Sequence, residues 1–274
     1  MNLFRTQRRI MAFRRTSRAL TAVVLGLALG VTGAQSAQAA PASKCSADQV
    51  FIGVRGSDAP AGSGSEEGGR VYASGGFGDQ IAALAPSFNA DVFSTWARAI
   101  RYDARGGTEY WPSQLDGEQK LVTVLNSLAD CGGQMPLIFL AGHSQGADVV
   151  LEALANSQLL KSVWVNIKAV AVFGDPKFRS GMNFNFSPPP GGQGILGART
   201  TGLTNVLESR YWFYGYPQWA DHPMWSSRIR SWCYPNDWAC QSLALNSSTN
   251  ASHNNYAQHM PDVFSWMMHM GEWT

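Results

Sequence analysis

A serine in a sharp strand-to-helix turn is the residue of this chain best suited to chemistry. Residues 137–150 read as a short apolar strand, then Gly142-His-Ser-Gln-Gly146, then an apolar helical pattern. In that context a G-x-S-x-G motif indicates a serine nucleophile, because the turn lifts the hydroxyl of Ser144 clear of the backbone and leaves no room for a Cβ at either glycine. The turn also aims the N–H of Gln145 at the position where an oxyanion would form. The alternative interpretation is a glycine-rich β–α turn with a buried serine.

A nucleophilic serine needs a histidine base, and the base needs a carboxylate that orients it. In one large class of hydrolases the chain order is Ser, acid, His. Asp175 follows a predicted strand, where it could serve as the acid or merely accept hydrogen bonds in a Gly-Asp-Pro turn. Asp237 lies inside the short loop between Cys233 and Cys240, where a disulfide would hold its carboxylate rigid. The histidines that follow Ser144 are His222, His253, His259 and His269.

The first 40 residues have the composition of an export signal. Six arginines between Arg5 and Arg18 precede an apolar run, Leu20–Val31, and small residues that suit cleavage after Ala39 or Ala40. We therefore predict a secretory signal peptide over residues 1–40 and a single secreted, extracellular domain over 41–274. The apolar run is too short to span a bilayer and no second run of about 18 residues follows, so we expect no transmembrane anchor.

Removing this leader reverses the sign of the net charge. The whole chain has 21 basic and 19 acidic residues; the leader holds six of the basic ones and no acid, which leaves 15 against 19, or a net charge of −4. No basic patch remains to indicate nucleic acid as a partner. The roughly 234 remaining residues suffice for one domain with a sizeable core.

The remaining part of the chain contains all four cysteines. An even number in an exported protein predicts two disulfides, with three possible pairings. Proximity in sequence favours Cys233 with Cys240, which leaves Cys45 with Cys131. The spacings do not suggest zinc, since the chain has no C-x-x-C or H-x-x-x-H.

Strands alternating with helices predict an α/β fold, a single mostly parallel sheet covered on both faces by helices. The region 58–76 reads as loop and 179–225 as irregular. The predicted strands are 49–54, 90–96, 137–143, 167–173 and 228–233, and the predicted helices are 77–84, 115–128, 145–156 and 256–270.

Four blocks together resemble the cutinase family of secreted serine esterases, over roughly residues 45–270. The resemblance is carried by Phe51-Ile-Gly-Val-Arg-Gly-Ser57, by Cys131 with Gly142-His-Ser-Gln-Gly-Ala147, by Gly174-Asp-Pro-Lys177, and by Cys233-Tyr-Pro-Asn-Asp-Trp-Ala-Cys240 followed by His253-Asn-Asn-Tyr256. The C-x-x-x-D-x-x-C element is the most specific of the four.

The resemblance implies an α/β-hydrolase fold and a role for each matching residue. Ser144 would be the nucleophile, Asp237 the acid and His253 the base, with His259 as a rival base. The oxyanion hole would use the N–H groups of Ser57 and Gln145, with the Ser57 hydroxyl as an added donor. The implied protein is a monomer that needs no metal or cofactor.

The substrate implied by the resemblance is a carboxylic ester. The first expectation is a cutin-like polyester or a lipid ester; the alternative is an acetylated polysaccharide, as for an acetylxylan esterase. A hypothesis of another class is a secreted binding module that keeps the fold without turnover.

The chain departs from the family pattern in two places. Asn236 stands where the family usually has glycine before the acid, and Asn tolerates a left-handed backbone nearly as well. The segment 211–219 holds six aromatic residues. They could anchor a long connection onto the core or form an apolar rim for acyl chains or a polymer surface.

Overall fold

The computed structural model describes residues 43–186, 191–211 and 227–272, which lie within one compact unit, Ala37–Thr274. In these residues six parallel strands form one sheet. The strands are β1 (Gln49–Val54), β2 (Thr95–Ala99), β3 (Leu137–His143), β4 (Ile167–Phe173), β5 (Asn185–Phe186) and β6 (Ile229–Trp232). Their order in the sheet is β2-β1-β3-β4-β6-β5.

Helices follow most of the strands and cover the sheet. They are α1 (Leu84–Asn89), α2 (Tyr110–Asn126), α3 (Gln145–Ala155), α4 (Lys161–Trp164), α5 (Thr201–Tyr211), α6 (Trp238–Gln241), α7 (Ser247–His253) and α8 (Met260–Glu272). None of the helices in the described ranges is long and apolar enough to cross a membrane.

Two apolar layers, one on each face of the sheet, make up the core. Successive strand residues point to opposite faces, so Ile52 of β1 packs with α2, α3 and α5, whereas Phe51 packs with α1 and α8. The central strands β1, β3 and β4 are buried almost along their whole length. Continuous apolar runs of this kind are typical of parallel strands covered on both sides, so the predicted α/β architecture is confirmed.

The predicted elements differ from the observed ones mainly around α1. A helix over 77–84 is wrong: Gly78 has a φ of 73°, the chain turns through Asp79–Ala83, and the helix begins only at Leu84. Pro86 is tolerated because it lies in the first turn, where its missing N–H would have no intrahelical partner. The following strand accordingly begins at Thr95 and not at residue 90.

Helix α5 lies within the region 179–225, for which the sequence predicts irregular structure. In α5 the buried residues are Thr204, Leu207 and Tyr211, a spacing of three and four that is helical. The polar Thr204 is buried because its hydroxyl donates to the carbonyls of Thr200 and Thr201. Tyr211 is the one member of the aromatic segment that lies in the described ranges, and it packs into the core against Trp164; residues 212–226 lie outside them.

Both disulfides expected from the sequence are present. Cys45–Cys131 ties the segment before β1 to the segment after α2 across 86 residues of chain. Cys233–Cys240 closes a loop with a separation of only seven residues. On the chain-entropy model the long loop stabilises the fold by about 4–5 kcal/mol and the short one by about 2–3 kcal/mol, so the first bridge acts on the whole domain and the second on one loop.

Candidate active site

Ser144 occupies a strained turn between β3 and α3. Its φ and ψ are 55° and −123°, a backbone conformation that residues other than glycine rarely adopt. Its N–H donates to the carbonyl of Phe173 at 2.8 Å and its own carbonyl accepts from Ala147 at 2.9 Å. A Cβ on Gly142 would collide with the carbonyl of Gly146, and one on Gly146 would collide with the end of β1. The two motif glycines are therefore required by the close approach of β3, α3 and β1.

Asp237 and His253 form a buried hydrogen-bonded pair. The Nδ1 of His253 lies 2.8 Å from Oδ1 of Asp237. A carboxylate accepts, so Nδ1 carries the hydrogen and Nε2 is left as a proton acceptor, the tautomer that a general base needs. His253 is the last residue of α7, which begins in a capping box at Asn246.

The carboxylate of Asp237 is fixed by its position before a short helix. It caps α6, where Oδ1 also accepts from the N–H groups of Ala239 at 2.8 Å and Cys240 at 3.3 Å. Its other oxygen accepts from the hydroxyl of Tyr256 at 2.6 Å. The disulfide of the Cys233–Cys240 loop closes around this carboxylate. Asn236 has no positive φ, so the left-handed backbone considered for this position is not used.

The electrostatics of the pair favour an ionised acid. Burial by itself raises the pKa of Asp237, but the hydrogen bond and charge of His253, together with bonds from Tyr256 and Ala239, outweigh it and lower that pKa. Burial and the neighbouring carboxylate raise the pKa of the Tyr256 phenol well above its usual value. Asp237 therefore stays an acceptor and Tyr256 stays a donor.

Ser144 and His253 line the same cleft, which has a volume of about 630 Å³. That volume is ample for an ester group with part of its acyl and alcohol chains. The lining is divided by chemistry: its polar members include Ser57, Asp58, Asp79, Gln80, Asn250 and Asn254, and its apolar members include Ala59, Pro60, Pro176, Ile195, Leu196 and Trp238.

Ser57 and Gln145 meet beside Ser144. The Ser57 hydroxyl, expected as an added oxyanion donor, lies 3.3 Å from Oε1 of Gln145. Gln145 is the first residue of α3, and the N–H groups of a first helical turn have no intrahelical partner. Its side-chain amide donates to the carbonyls of Arg105 and Tyr110, both at 3.0 Å. Gln145 thus also braces the loop before α2, a role that the sequence analysis missed.

The other candidate histidines lie elsewhere. His259, the rival base, lies in a short 3₁₀ helix with its ring 5.6 Å from that of Tyr234, while the hydrogen bond to Asp237 comes from His253. His269 is in α8, and His222 lies outside the described ranges.

Asp175 belongs to a buried charge cluster. It accepts a local hydrogen bond, as expected for a Gly-Asp-Pro turn: its Oδ1 accepts from the N–H of Lys177 at 2.9 Å. Both of its oxygens also accept from Arg199 at 3.0 Å, and Arg199 further contacts Asp148 and Glu152 of α3. The cluster ties the segment after β4 to the helix that follows Ser144. No sequence pattern indicates this cluster, because its charges are spread over some fifty residues without a motif.

Gly174 lies directly against the acid–base pair. Its φ is 59°, and a Cβ there would lie 2.8 Å from Cε1 of His253 and 2.9 Å from Oδ2 of Asp237. The end of β4 can therefore approach the pair only as bare backbone. In the described ranges no group of three or more His, Cys, Asp or Glu residues is arranged to hold a metal ion.

The structure combines a parallel sheet covered by helices, a serine in a sharp turn after the third strand, and a buried Asp–His pair at the same cleft. This combination is typical of a serine hydrolase. The chain belongs to the cutinase family: the model of the family described as Cutinase matches residues 45–269. The protein is accordingly a serine ester hydrolase. No curated protein matches the sequence.

Solved structures share the fold at low sequence identity. An acetylxylan esterase solved at 0.90 Å resolution is 22% identical with a TM-score of 0.59, over 82% of this chain and 98% of its own. The catalytic core domain of an acetyl xylan esterase from Trichoderma reesei is 18% identical with a TM-score of 0.59, over 82% and 98%. A cutinase-like protein from Cryptococcus sp. is 17% identical with a TM-score of 0.55, over 84% and 95%.

The first prediction concerns Gly174. Gly174→Ala should lower kcat on the order of 100-fold, because a shift of about 1 Å in catalytic groups has that effect. Gly181→Ala is the matched control: its φ is 77°, and nothing lies within 4 Å of its would-be Cβ. Both variants should lose about 1–2 kcal/mol of stability from the left-handed backbone, but only Gly174→Ala should lose turnover in an ester assay. Equal kcat in the two variants would contradict the proximity argument.

The second prediction concerns Tyr256 and pH. The pKa of Asp237 in the folded protein is lowered, so its ionised form adds stability above the unfolded value of about 4, and this stability is lost as the pH falls through the lowered folded value. Tyr256→Phe removes one donor and raises the folded pKa. Its acid-unfolding midpoint, followed by circular dichroism, should therefore move to higher pH.

Tyr234→Phe is the control for Tyr256→Phe. The Tyr234 ring stacks on that of Tyr256 at 4.5 Å, but the hydroxyl bound to Asp237 belongs to Tyr256. If the two variants unfold at the same pH, the hydrogen bond to Asp237 does not set the acid stability.

Proposed function

We propose that the protein hydrolyses carboxylic esters through an acyl-enzyme, with Ser144 as nucleophile, His253 as base and Asp237 as orienting acid. The observation that carries the proposal is the buried Asp237–His253 pair, which opens onto the cleft that Ser144 also lines. Acyl transfer requires a serine nucleophile, a histidine whose Nε2 can accept a proton, and a carboxylate that fixes the orientation of the histidine.

The reaction proceeds in two half-reactions. Nε2 of His253 takes the proton of Ser144 as the serine oxygen attacks the ester carbonyl, and Asp237 stabilises the imidazolium that forms. The N–H groups of Ser57 and Gln145 bind the oxyanion. The imidazolium then protonates the leaving alcohol, an acyl-enzyme remains, and water activated by the same histidine releases the acid.

For the substrate we propose a cutin-like polyester or a lipid ester. Membership of the cutinase family supports this choice, as do the apolar residues on the cleft wall. Ile195 and Leu196 are 42% and 39% exposed, which makes them available to an acyl chain.

An acetylated polysaccharide is the second candidate. It is favoured by the hydrogen-bonding groups of Asp58, Asp79, Asn250 and Asn254 on the same cleft, because sugar hydroxyls need polar partners. The similar structures include acetylxylan esterases.

We also propose that the domain acts outside the cell after removal of residues 1–40. Its two disulfides support this, since such bonds persist in oxidising compartments. The arginine-rich and then apolar composition of the leader supports export as well.

The third prediction tests the assigned roles. Ser144→Ala and His253→Ala should each lower kcat for p-nitrophenyl butyrate on the order of 10⁴–10⁶-fold while the protein stays folded, because the triad acts as a unit. His259→Ala is the matched control, as it also removes an imidazole from the segment that precedes α8 and should leave kcat near that of the wild type. Loss of activity in His259→Ala with retention in His253→Ala would transfer the base role to His259.

The fourth prediction separates the substrate classes. If the apolar wall receives the acyl group, kcat/KM should rise from p-nitrophenyl acetate to esters of medium chain length, and cutin should release hydroxy acids. Ser144→Ala provides the blank for each substrate. Activity confined to acetyl esters, with acetate released from acetylated xylan and no product from cutin, would reject the polyester proposal in favour of the second candidate.

A further inference from the structure

His143, the residue before Ser144, is buried in the wall of the cleft. It is the last residue of β3 and is 7% exposed. Its Nε2 lies 2.8 Å from the backbone carbonyl oxygen of His253. A carbonyl only accepts, so Nε2 is the donor and this imidazole is held as the Nε2–H tautomer.

The surroundings keep His143 uncharged. Burial, followed by the charge of His253, lowers the pKa of His143 to about 3, although its bond to the carbonyl and the carboxylate of Asp237 act in the opposite direction. The rings of His253 and Tyr256 lie near it, with centroids 4.6 Å and 5.8 Å away. A neutral donor suits this position, since a second cation there would oppose the charge that His253 gains during catalysis.

The hydrogen bond from His143 links two segments that are 110 residues apart. Asp237 fixes the His253 side chain at Nδ1. Three residues further along the chain, the N–H of Tyr256 donates to the side-chain oxygen of Gln80 at 2.9 Å. The bond at the carbonyl of His253 comes from the residue covalently joined to Ser144. It therefore couples the backbone that carries the base to the backbone that carries the nucleophile.

We propose that His143 is a positioning residue: its Nε2–H holds the carbonyl of His253 and so sets the place of the base relative to Ser144. This inference rests on the proposed roles of Ser144 and His253. The reaction depends on their separation, and an error of about 1 Å costs on the order of 100-fold in rate. His143 acts through the base and does not exchange a proton with the substrate.

Two substitutions separate the hydrogen bond from simple space filling. His143→Phe keeps a flat buried ring and removes the donor. His143→Gln keeps an amide N–H that can occupy the place of Nε2, whereas His143→Asn is shorter and its amide cannot reach that place. The assay measures kcat and KM for p-nitrophenyl butyrate well below the melting temperature, with the folded fraction taken from near-ultraviolet circular dichroism.

The inference predicts that His143→Phe lowers kcat about 10-fold to 100-fold with KM unchanged, and that His143→Gln recovers most of the loss. If the Phe variant does not fold, the Gln and Asn variants decide, with Gln active and Asn impaired. Wild-type kcat in the Phe or Asn variant, or equal losses in Gln and Phe, would overturn it. A wild-type protein without esterase activity, or an active Ser144→Ala, would instead reject the proposed function.

Discussion

The absence of room for a side chain at Gly142 and Gly146 is the constraint on which the site depends. β3 must end, turn through a residue with a φ of 55° and start α3 within contact distance of the end of β1. Only glycine fits at positions 142 and 146. Once this close packing is satisfied, the serine hydroxyl faces the cleft and the first N–H of α3 is available beside it. The buried sheet stabilises the strained backbone of Ser144, because the N–H of Ser144 donates to the carbonyl of Phe173 at the end of β4.

A second constraint is the cost of burying the carboxylate of Asp237. An isolated buried charge is unfavourable, and here four donors compensate: two N–H groups of α6, the hydroxyl of Tyr256 and the ring of His253. The short helix α6 supplies two of these donors, α7 ends at His253, and Tyr256 follows three residues later. The bond from His253 also fixes the tautomer of its ring, so this one contact both compensates the buried charge and leaves Nε2 as the proton acceptor.

Local sequence patterns predicted much of this structure. The apolar runs of β1 and β4 and the turn at Ser144 are patterns of a few residues, and they appear as expected. The even number of cysteines, with their proximity in sequence, predicted both disulfides. The helix predicted over 77–84 is absent because Gly78 has a φ of 73°, which a helix does not allow. Glycine adopts positive and negative φ about equally readily, so its presence in the sequence does not reveal which one is used. The Arg199 cluster and the contact between His143 and the carbonyl of His253 join distant segments, so no local pattern could indicate them. The choice of His253 over His259 came from the family resemblance and not from spacing. The hypothesis for the aromatics at 212–219 stays a prediction.

The central claim is that Ser144, His253 and Asp237 act together next to an oxyanion hole formed by Ser57 and Gln145. The most direct measurement is a crystal structure of the protein after reaction with an alkyl phosphonate. We expect phosphorus on the Ser144 oxygen, a phosphonyl oxygen about 2.7–3.1 Å from the N–H nitrogens of Ser57 and Gln145, and His253 still hydrogen-bonded to Asp237. A phosphonate on another serine, or a phosphonyl oxygen directed away from both N–H groups, would contradict it.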